Sequence, residues 1–156
     1  MQFTLRPVID TDEAFLYRLY EATHGQQFAL LPLAPSQREA LVRMQFDAQR
    51  HGYRQQYPAS QDAIILAQDK PCGRVWLDFS QPEYLHLLDI AILPEYQGTG
   101  LGTAVLQQMM EQARHARKPM HLHVARLNVG AFHLYCRLGF EVTAEDEVYW
   151  ELMWRP

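Results

Sequence analysis

Three glycines at alternate positions lie between an apolar segment and a segment with helical periodicity. The run QGTGLGT occupies residues 97–103, with Gly98, Gly100 and Gly102 inside it, and Pro94 ends the apolar segment before it. Glycine costs conformational entropy, so this density indicates backbone angles or a close approach that other residues do not allow. Successive bare N–H groups followed by the positive end of a helix form a seat for a diphosphate.

Two familiar phosphate-binding loops do not fit these residues. A P-loop has a lysine directly after its last glycine, and no lysine occurs between Lys70 and Lys118. A dinucleotide-binding turn has the spacing G-x-G-x-x-G and an acidic residue about 20 positions later, whereas Gly102 comes one residue early and RKPMHLHV contains no acid. Two interpretations remain: a diphosphate seat of another kind, and a glycine-rich connection that binds nothing.

Two segments resemble the GNAT superfamily of N-acetyltransferases. IAILPEYQGTGLGTAVL has the apolar strand, the proline and the Q/R-x-x-G-x-G/A loop of that family's motif A. Gln97 stands where many members have arginine. About 35 residues later, NVGAFHLYCRLGF resembles motif B through Asn128, Ala131, Tyr135, Gly139 and Phe140. Both motifs occur in the family's order and spacing, so the resemblance is specific over about residues 84–142.

The resemblance implies that acetyl-CoA is the co-substrate and lies where the fourth and fifth strands splay apart. Those strands are expected at Tyr84–Leu93 and Met120–Val124. The backbone of Ile90, Ala91 and Ile92 would pair with the pantetheine arm. The N–H of Ile92 would donate to the thioester carbonyl, an interaction typically worth about 3–4 kcal/mol. The residues expected to hold the pyrophosphate are Gln97, Gly98, Thr99, Gly100, Leu101, Gly102 and Thr103.

Two residues of the second motif carry expected roles at the sulfur end of the cofactor. The resemblance makes Tyr135 the general acid that protonates the coenzyme A thiolate, since a phenol stays protonated at neutral pH. The alternative is a helix tyrosine that only packs on the sheet. Asn128 either binds the pantetheine through its side-chain amide or is simply a helix N-cap.

The general base is expected on the central strand, where family members often carry glutamate or histidine. His86 occupies that position, and an imidazole suits removal of an ammonium proton. The alternative is a partly exposed strand histidine without a catalytic role. Strict alternation puts Asp89 on the opposite face from His86, which makes it a weaker candidate. Glu21 and His24 end the first helix, where they could hold an amine or be solvated.

The remaining candidates are assigned structural roles. His121 and His123 are two residues apart on one strand face, which is half of a metal site, and no third ligand is evident from the sequence. No metal is therefore expected. Cys72 and Cys136 are the only cysteines. They are expected to be reduced thiols rather than a disulfide, with Cys136 in the core.

Composition limits the class of protein. The chain has 156 residues, of which 48% are apolar and 21% charged, and its net charge is −4. This favours one folded domain over residues 1–156. It disfavours nucleic acid as a partner, since there is no basic block. No apolar run approaches the roughly 20 residues of a membrane span, and no basic-then-apolar leader is visible. A cytoplasmic protein without membrane or nucleic-acid partners is expected.

Hydrophobic periodicity predicts an α+β or mixed-sheet domain. The resemblance implies the α+β form, a mixed, mostly antiparallel sheet flanked by helices, with splayed central strands. Asp10-x-x-Glu13 and Ser36-x-x-Glu39 resemble capping boxes, and QDKPCG, with Pro71 and Gly73, resembles a hairpin connection. Leu41, Met44 and Ala48 mark the apolar face of the second helix. The predicted strands are 3–6, 63–67, 74–79, 84–93, 120–124, 140–142 and 148–154, and the predicted helices are about 11–23, 36–52, 101–118 and 128–139.

The sequence therefore predicts an acetyl-CoA-dependent N-acetyltransferase that acts on a primary amine by direct attack in a ternary complex. The acceptor would be an amine-bearing small molecule or protein. The alternatives are a non-catalytic acyl-CoA-binding regulatory module and a nucleotide-binding protein. Relatives of this fold often dimerise, so a homodimer remains an option.

Overall fold

One mixed sheet of seven strands runs through the molecule in the order β1-β2-β3-β4-β5-β7-β6. The computed structural model describes residues 2–156, except the side chain of Gln26. All neighbouring pairs are antiparallel apart from β4 and β5, which are parallel. The predicted α+β class and sheet type are thus confirmed. The strands are β1 Thr4–Pro7, β2 Gln61–Ala67, β3 Lys70–Asp78, β4 Leu85–Ile92, β5 Met120–Ala125, β6 Glu141–Glu145 and β7 Tyr149–Trp154.

Four helices pack on the two faces of the sheet. They are α1 Glu13–His24, α2 Pro35–Gln56, α3 Leu101–His115 and α4 Val129–Arg137. Ile65 lies in a core with residues of α3 and α4, while its neighbour Ile64 lies in a core with residues of α1 and α2. Since successive strand residues point to opposite faces, the two helix pairs cover opposite sides. None of the helices in residues 2–156 has both the length and the apolar character needed to cross a bilayer.

Several local predictions about α2 and the β2–β3 connection were wrong in detail. α2 begins one residue before Ser36, with Pro35 in its first turn, and the Gln37 side chain accepts the Ala34 N–H at 3.0 Å. It continues past Gly52 to Gln56. Its buried residues are Val42 and Phe46, whereas Met44 is exposed, because the stripe that meets the sheet is rotated from the predicted one.

The hairpin between β2 and β3 is confirmed, but Pro71 and Gly73 do not make its turn. Gln68 and Asp69 do, with φ angles of 51° and 63°, the left-handed pair that matches the twist of two-residue hairpins. Gly73 lies within β3, where a Cβ atom would come 2.5 Å from the carbonyl oxygen of Ala91. This glycine therefore permits the close approach of β3 to β4.

β4 and β5 separate partway along their length, as predicted. Their parallel ladder contains three pairs: Leu85 with Met120, His86 with His121, and Leu87 with Leu122. β4 then continues to Ile92 and β5 to Ala125 without further pairing between them. A wedge therefore opens between two central strands at the carboxyl end of β4.

A β-bulge in β4 changes which side chains share a face. Leu77 pairs with Leu87 and Trp76 with Asp89, so Leu88 is an extra residue without a partner on β3. The extra residue reverses the alternation. Asp89 consequently lies on the same face as His86, on the α1 and α2 side, and the prediction of opposite faces was wrong.

Candidate active site at the split between two strands

The backbone of β4 beyond the bulge directs polar groups into the wedge. The N–H of Leu93 donates to the Cys72 carbonyl on β3 at 2.8 Å. Residues of an antiparallel strand bond to one neighbour alternately, so Ala91 also faces β3 while Ile90 and Ile92 face the other way. No β5 residue pairs with them there. The N–H groups of Ile90 and Ile92 thus face the opening, as the predicted cofactor pairing requires.

The glycine loop has the open backbone that the sequence predicts. Gly98 and Gly100 have φ angles of 75° and 88°, and nothing lies within 4 Å of a Cβ atom built on either. Within residues 2–156, no acceptor meets the backbone N–H of Leu101, Gly102 or Thr103. These donors at the positive end of α3 are free for an anion.

The side chains of the same loop fix its shape rather than fill its concave side. Gln97 donates through Nε2 to the Ile92 carbonyl at 2.9 Å, and Thr99 donates through Oγ1 to the Tyr96 carbonyl at 2.6 Å. Leu101 is fully buried in the core. The loop is therefore tied to the end of β4 and to α3, so the N–H groups and the wedge are held at fixed positions relative to each other.

We expect Gly100→Ala to raise the dissociation constant of coenzyme A about tenfold. An alanine at this φ angle costs about 1–2 kcal/mol, so the loop of the free variant should relax to another conformation. Binding of coenzyme A must then restore the original conformation at a similar cost in free energy. A cost of about 1.4 kcal/mol corresponds to a tenfold higher dissociation constant. Isothermal titration calorimetry measures the constant. Gly52→Ala is the matched control, since Gly52 lies in α2 with nothing within 4 Å of its added methyl group. Wild-type affinity in a folded Gly100→Ala would contradict the assignment of the loop.

Tyr135 is a buried phenol with a free hydroxyl group. The residue is 7% exposed, and its ring lies against Phe140 with centroids 5.6 Å apart. Among the described residues, none accepts or donates a hydrogen bond at its hydroxyl group. Burial, assisted by the negative charge of Asp89, raises the pKa of Tyr135. The phenol is therefore protonated at neutral pH, as a proton donor must be.

Asn128 is the N-cap of α4. Its Oδ1 accepts the backbone N–H of Ala131 at 3.2 Å, which confirms the capping interpretation. Its side-chain NH₂ group has no partner among the residues that the structure describes, and the contact of Asn128 with pantetheine remains a prediction. Gly139, with a φ angle of 101°, ends the turn after α4 as predicted.

Asp89 lies at the centre of a group of aromatic side chains on the α1 side of the wedge. Its side chain is 12% exposed, and its Oδ1 lies 4.0 Å from Nε2 of His24. The His24 ring stacks on Tyr20 at a centroid distance of 4.5 Å. Burial chiefly, and then the charge of Asp89, raises the pKa of Tyr20 and of Tyr53. Asp89 is thus the carboxylate that acts on both phenols, whereas Glu21 is exposed to solvent.

Three histidines converge on the same face at the point where β4 and β5 are still paired. His86 lies beside His121 in the parallel ladder, and His123 follows on β5. Burial first, and then His121 and His123, lower the pKa of His86 to about 4. His86 is therefore unprotonated at neutral pH but binds a proton weakly. The sequence showed no third ligand beside His121 and His123. His86 is that third histidine, and only the parallel register of β4 and β5 brings it to the other two.

The cysteines are both free thiols, Cys72 buried and Cys136 exposed. The prediction of unpaired thiols is confirmed. The core position predicted for Cys136 is wrong, because α4 turns Tyr135 toward the sheet and its neighbour toward solvent.

Two solved structures of acetyltransferases share this fold. The chain aligns over 100% of both chains with a PaiA N-acetyltransferase from Thermoplasma acidophilum in complex with coenzyme A, at 17% identity and a TM-score of 0.77. The chain also aligns with the ribosomal-protein-S18-alanine N-acetyltransferase of Escherichia coli, at 19% identity and a TM-score of 0.68. This alignment covers 99% of the present chain and 94% of the Escherichia coli chain. The chain therefore has the fold of these acetyltransferase structures.

The family follows from the sequence comparison. The model of the Acetyltransferase (GNAT) family matches residues 16–140, and the chain belongs to this family. A curated relative, an uncharacterized N-acetyltransferase of Methanocaldococcus jannaschii, is 34% identical over 79 residues. That match covers 46% of this chain and 35% of the relative. The family uses acetyl-CoA, and the free N–H groups and open glycines at the start of α3 fit its diphosphate.

Proposed function

We propose that the protein transfers the acetyl group of acetyl-CoA to a primary amine by direct attack within a ternary complex. The observation that carries the proposal is the wedge between β4 and β5, which has groups suited to the cofactor on one side and groups suited to an amine on the other. The outward N–H of Ile92 and the buried phenol of Tyr135 belong to the cofactor side. Asp89 and His24 belong to the α1 side. Donor and acceptor can therefore enter from opposite faces of the sheet.

On the cofactor side, each residue contributes binding or a proton. Acetyl-CoA supplies an activated acetyl group and a good leaving thiolate. The free N–H groups of Leu101, Gly102 and Thr103 hold the diphosphate, and the N–H of Ile92 donates to the acetyl carbonyl oxygen as negative charge develops on it. Tyr135 gives its hydroxyl proton to the departing sulfur.

On the acceptor side, the amine must lose a proton before or during attack. His86 remains the base that the sequence predicts, and its low pKa keeps it unprotonated but weakly basic. The bulge adds a second candidate, since Asp89 can hold the ammonium form and His24, 4.0 Å away, can receive the proton. Because Asp89 is a negative charge with only 12% of its side chain exposed, an amine that carries a positive charge is favoured as acceptor.

We expect Asp89→Asn to lower kcat/KM for the amine roughly 100-fold, the lower end of the contribution of general acid–base assistance, without changing the affinity for coenzyme A. The amide keeps the shape of the side chain and removes the charge. Steady-state kinetics at several amine concentrations measures the effect. Asp69→Asn, the same substitution in the exposed β2–β3 turn, is the control. If Asp89→Asn retains wild-type kcat/KM, the base role returns to His86.

The function is tested by a thiol-release screen with acetyl-CoA across classes of amines, followed by mass spectrometry of the product. Polyamines, aminoglycosides, amino acids, peptide N-termini and lysine peptides form the panel. A product heavier by one acetyl group is the expected result. Binding of coenzyme A without thiol release on any amine would instead support the regulatory module, and stabilisation by ATP or NAD but not by coenzyme A would support a nucleotide-binding protein.

A further inference from the structure

Three imidazole rings from two neighbouring strands meet on one face of the sheet. His86 and His121 are direct partners in the parallel ladder, and His123 lies two residues further along β5. Their ring centroids are 5.1 Å, 5.8 Å and 4.9 Å apart. One ligand nitrogen from each ring lies within 4.8 Å of the corresponding nitrogen of the others. This is the only group of three metal-ligating side chains so placed among the described residues.

The spacing of the rings matches that of a tetrahedral metal site. With a zinc–nitrogen distance of 2.0–2.1 Å, imidazole rings bound to one zinc ion have centroids about 5 Å apart. Two of the three observed separations have this value and the third is slightly longer. The ligand nitrogens lie within 4.8 Å of one another, and binding one ion would bring them to about 3.4 Å, the separation that tetrahedral geometry sets at these bond lengths.

Two ring nitrogens of the cluster have no hydrogen-bond partner among the described residues. Nδ1 of His86 and Nδ1 of His121 are both buried, and neither makes a hydrogen bond within the described part of the chain. Buried polar atoms are normally paired, so two orphaned nitrogens in one cluster need an explanation. A bound cation is one that satisfies both, because unprotonated imidazole is the form that binds metals.

A carboxylate orients the third ring. Nε2 of His123 lies 2.7 Å from Oε1 of Glu151 on β7. Histidines that bind metals commonly donate their other N–H to a carboxylate, which fixes the ring and raises its basicity. His123 is also the open side of the cluster, with 41% of its side chain exposed. A fourth ligand can therefore come from solvent.

We propose that His86, His121 and His123 form a binding site for a divalent transition-metal ion of the zinc class, with Glu151 as the positioning residue of His123. The site lies on the acceptor side of the sheet, next to the wedge. It does not depend on the proposed acetyl transfer, since metal binding is measured without acetyl-CoA or an amine. A metal held there occupies His86 and leaves Asp89 and His24 to handle the proton of the amine.

The test is metal binding by the full chain after removal of metals by a chelator. Zn²⁺ is titrated in competition with a chromophoric chelator, and Co²⁺ is titrated while its visible absorption is recorded. We expect one ion per chain and a cobalt spectrum typical of tetrahedral coordination by nitrogen and oxygen. His121→Ala and His123→Ala should each lower the affinity for Zn²⁺ at least tenfold, and Glu151→Gln by about tenfold, as expected for a lost orienting partner.

Two control variants keep the result specific. His115→Ala removes a histidine of α3 that is 81% exposed and also lies near a carboxylate, Glu111, at 3.4 Å, and it should bind Zn²⁺ like the wild type. Cys136→Ser removes the exposed thiol and should also leave binding unchanged. His86 is buried, so the partly exposed His121 and His123 carry the test. Absence of stoichiometric binding, or equal affinity in the wild type and the His121→Ala, His123→Ala double variant, would overturn the proposal.

Discussion

Replacement of Tyr135 by phenylalanine should lower kcat by a factor of about 10²–10⁴, the usual contribution of a positioned general acid, and leave the dissociation constant of coenzyme A unchanged. The substitution removes one hydroxyl group that has no partner among the described residues. The ring, which packs against Phe140, stays in place. The departing thiolate would then have to take its proton from water, so the loss falls on the chemical step.

The measurement combines steady-state turnover with calorimetric binding of coenzyme A. Tyr17→Phe is the matched control: it also removes a hydroxyl group without a partner among the described residues, in this case a buried one in the α1–α2 core, where the Tyr17 ring packs edge-on against Phe46 at 5.4 Å. It should change neither quantity. Turnover of Tyr135→Phe within twofold of the wild type would remove Tyr135 from the mechanism and leave it a packing role.

Asp62→Ala should destabilise the fold by about 3–5 kcal/mol, the effect of leaving a buried charge without its partner. Arg74 is 2% exposed, and its Nε and Nη2 atoms donate to the two carboxylate oxygens of Asp62, each at 2.8 Å. The guanidinium also lies over the Trp76 ring, 4.5 Å from its centroid. Without the carboxylate, the positive charge remains in the interior next to an aromatic ring that offsets only part of its desolvation.

Denaturant unfolding and thermal unfolding measure the loss, which corresponds to a fall in Tm of roughly 6–20 °C for a chain of this size. Asp47→Ala is the control. Its carboxylate is 56% exposed and 3.6 Å from Arg43, a surface pair worth about 0–1 kcal/mol. If both variants lose the same free energy of unfolding, the buried pair between Asp62 and Arg74 stabilises the fold no more than a surface pair does.

The parts of the site that local chemistry determines were predictable from the sequence. The glycines at 98 and 100 indicated left-handed backbone angles, and both residues have positive φ angles in the structure. Tyr135 was found through the spacing of its motif, and its burial follows from the amphipathic pattern of α4. In such cases the residue type and its near neighbours carry enough information.

The parts that depend on pairing between distant segments were not predictable. Alternation along β4 put Asp89 and His86 on opposite faces, and one unpaired residue, Leu88, reverses this. A bulge depends on how two strands meet, and neither strand alone encodes it clearly. The cluster of three histidines was missed for the same reason, since the parallel register of β4 and β5 decides that His86 meets His121.

The three-pair ladder between β4 and β5 makes the sheet two smaller sheets joined by a short seam. Strands β1 to β4 form one part and β5 to β7 the other, and α3 packs on both. Past the seam, each part presents an unpaired edge of the kind that exposed strands use to recruit another strand. An extended ligand lying there would act as an eighth strand that fastens the halves together. The free energy of unfolding of the whole domain would then increase when a ligand occupies the gap.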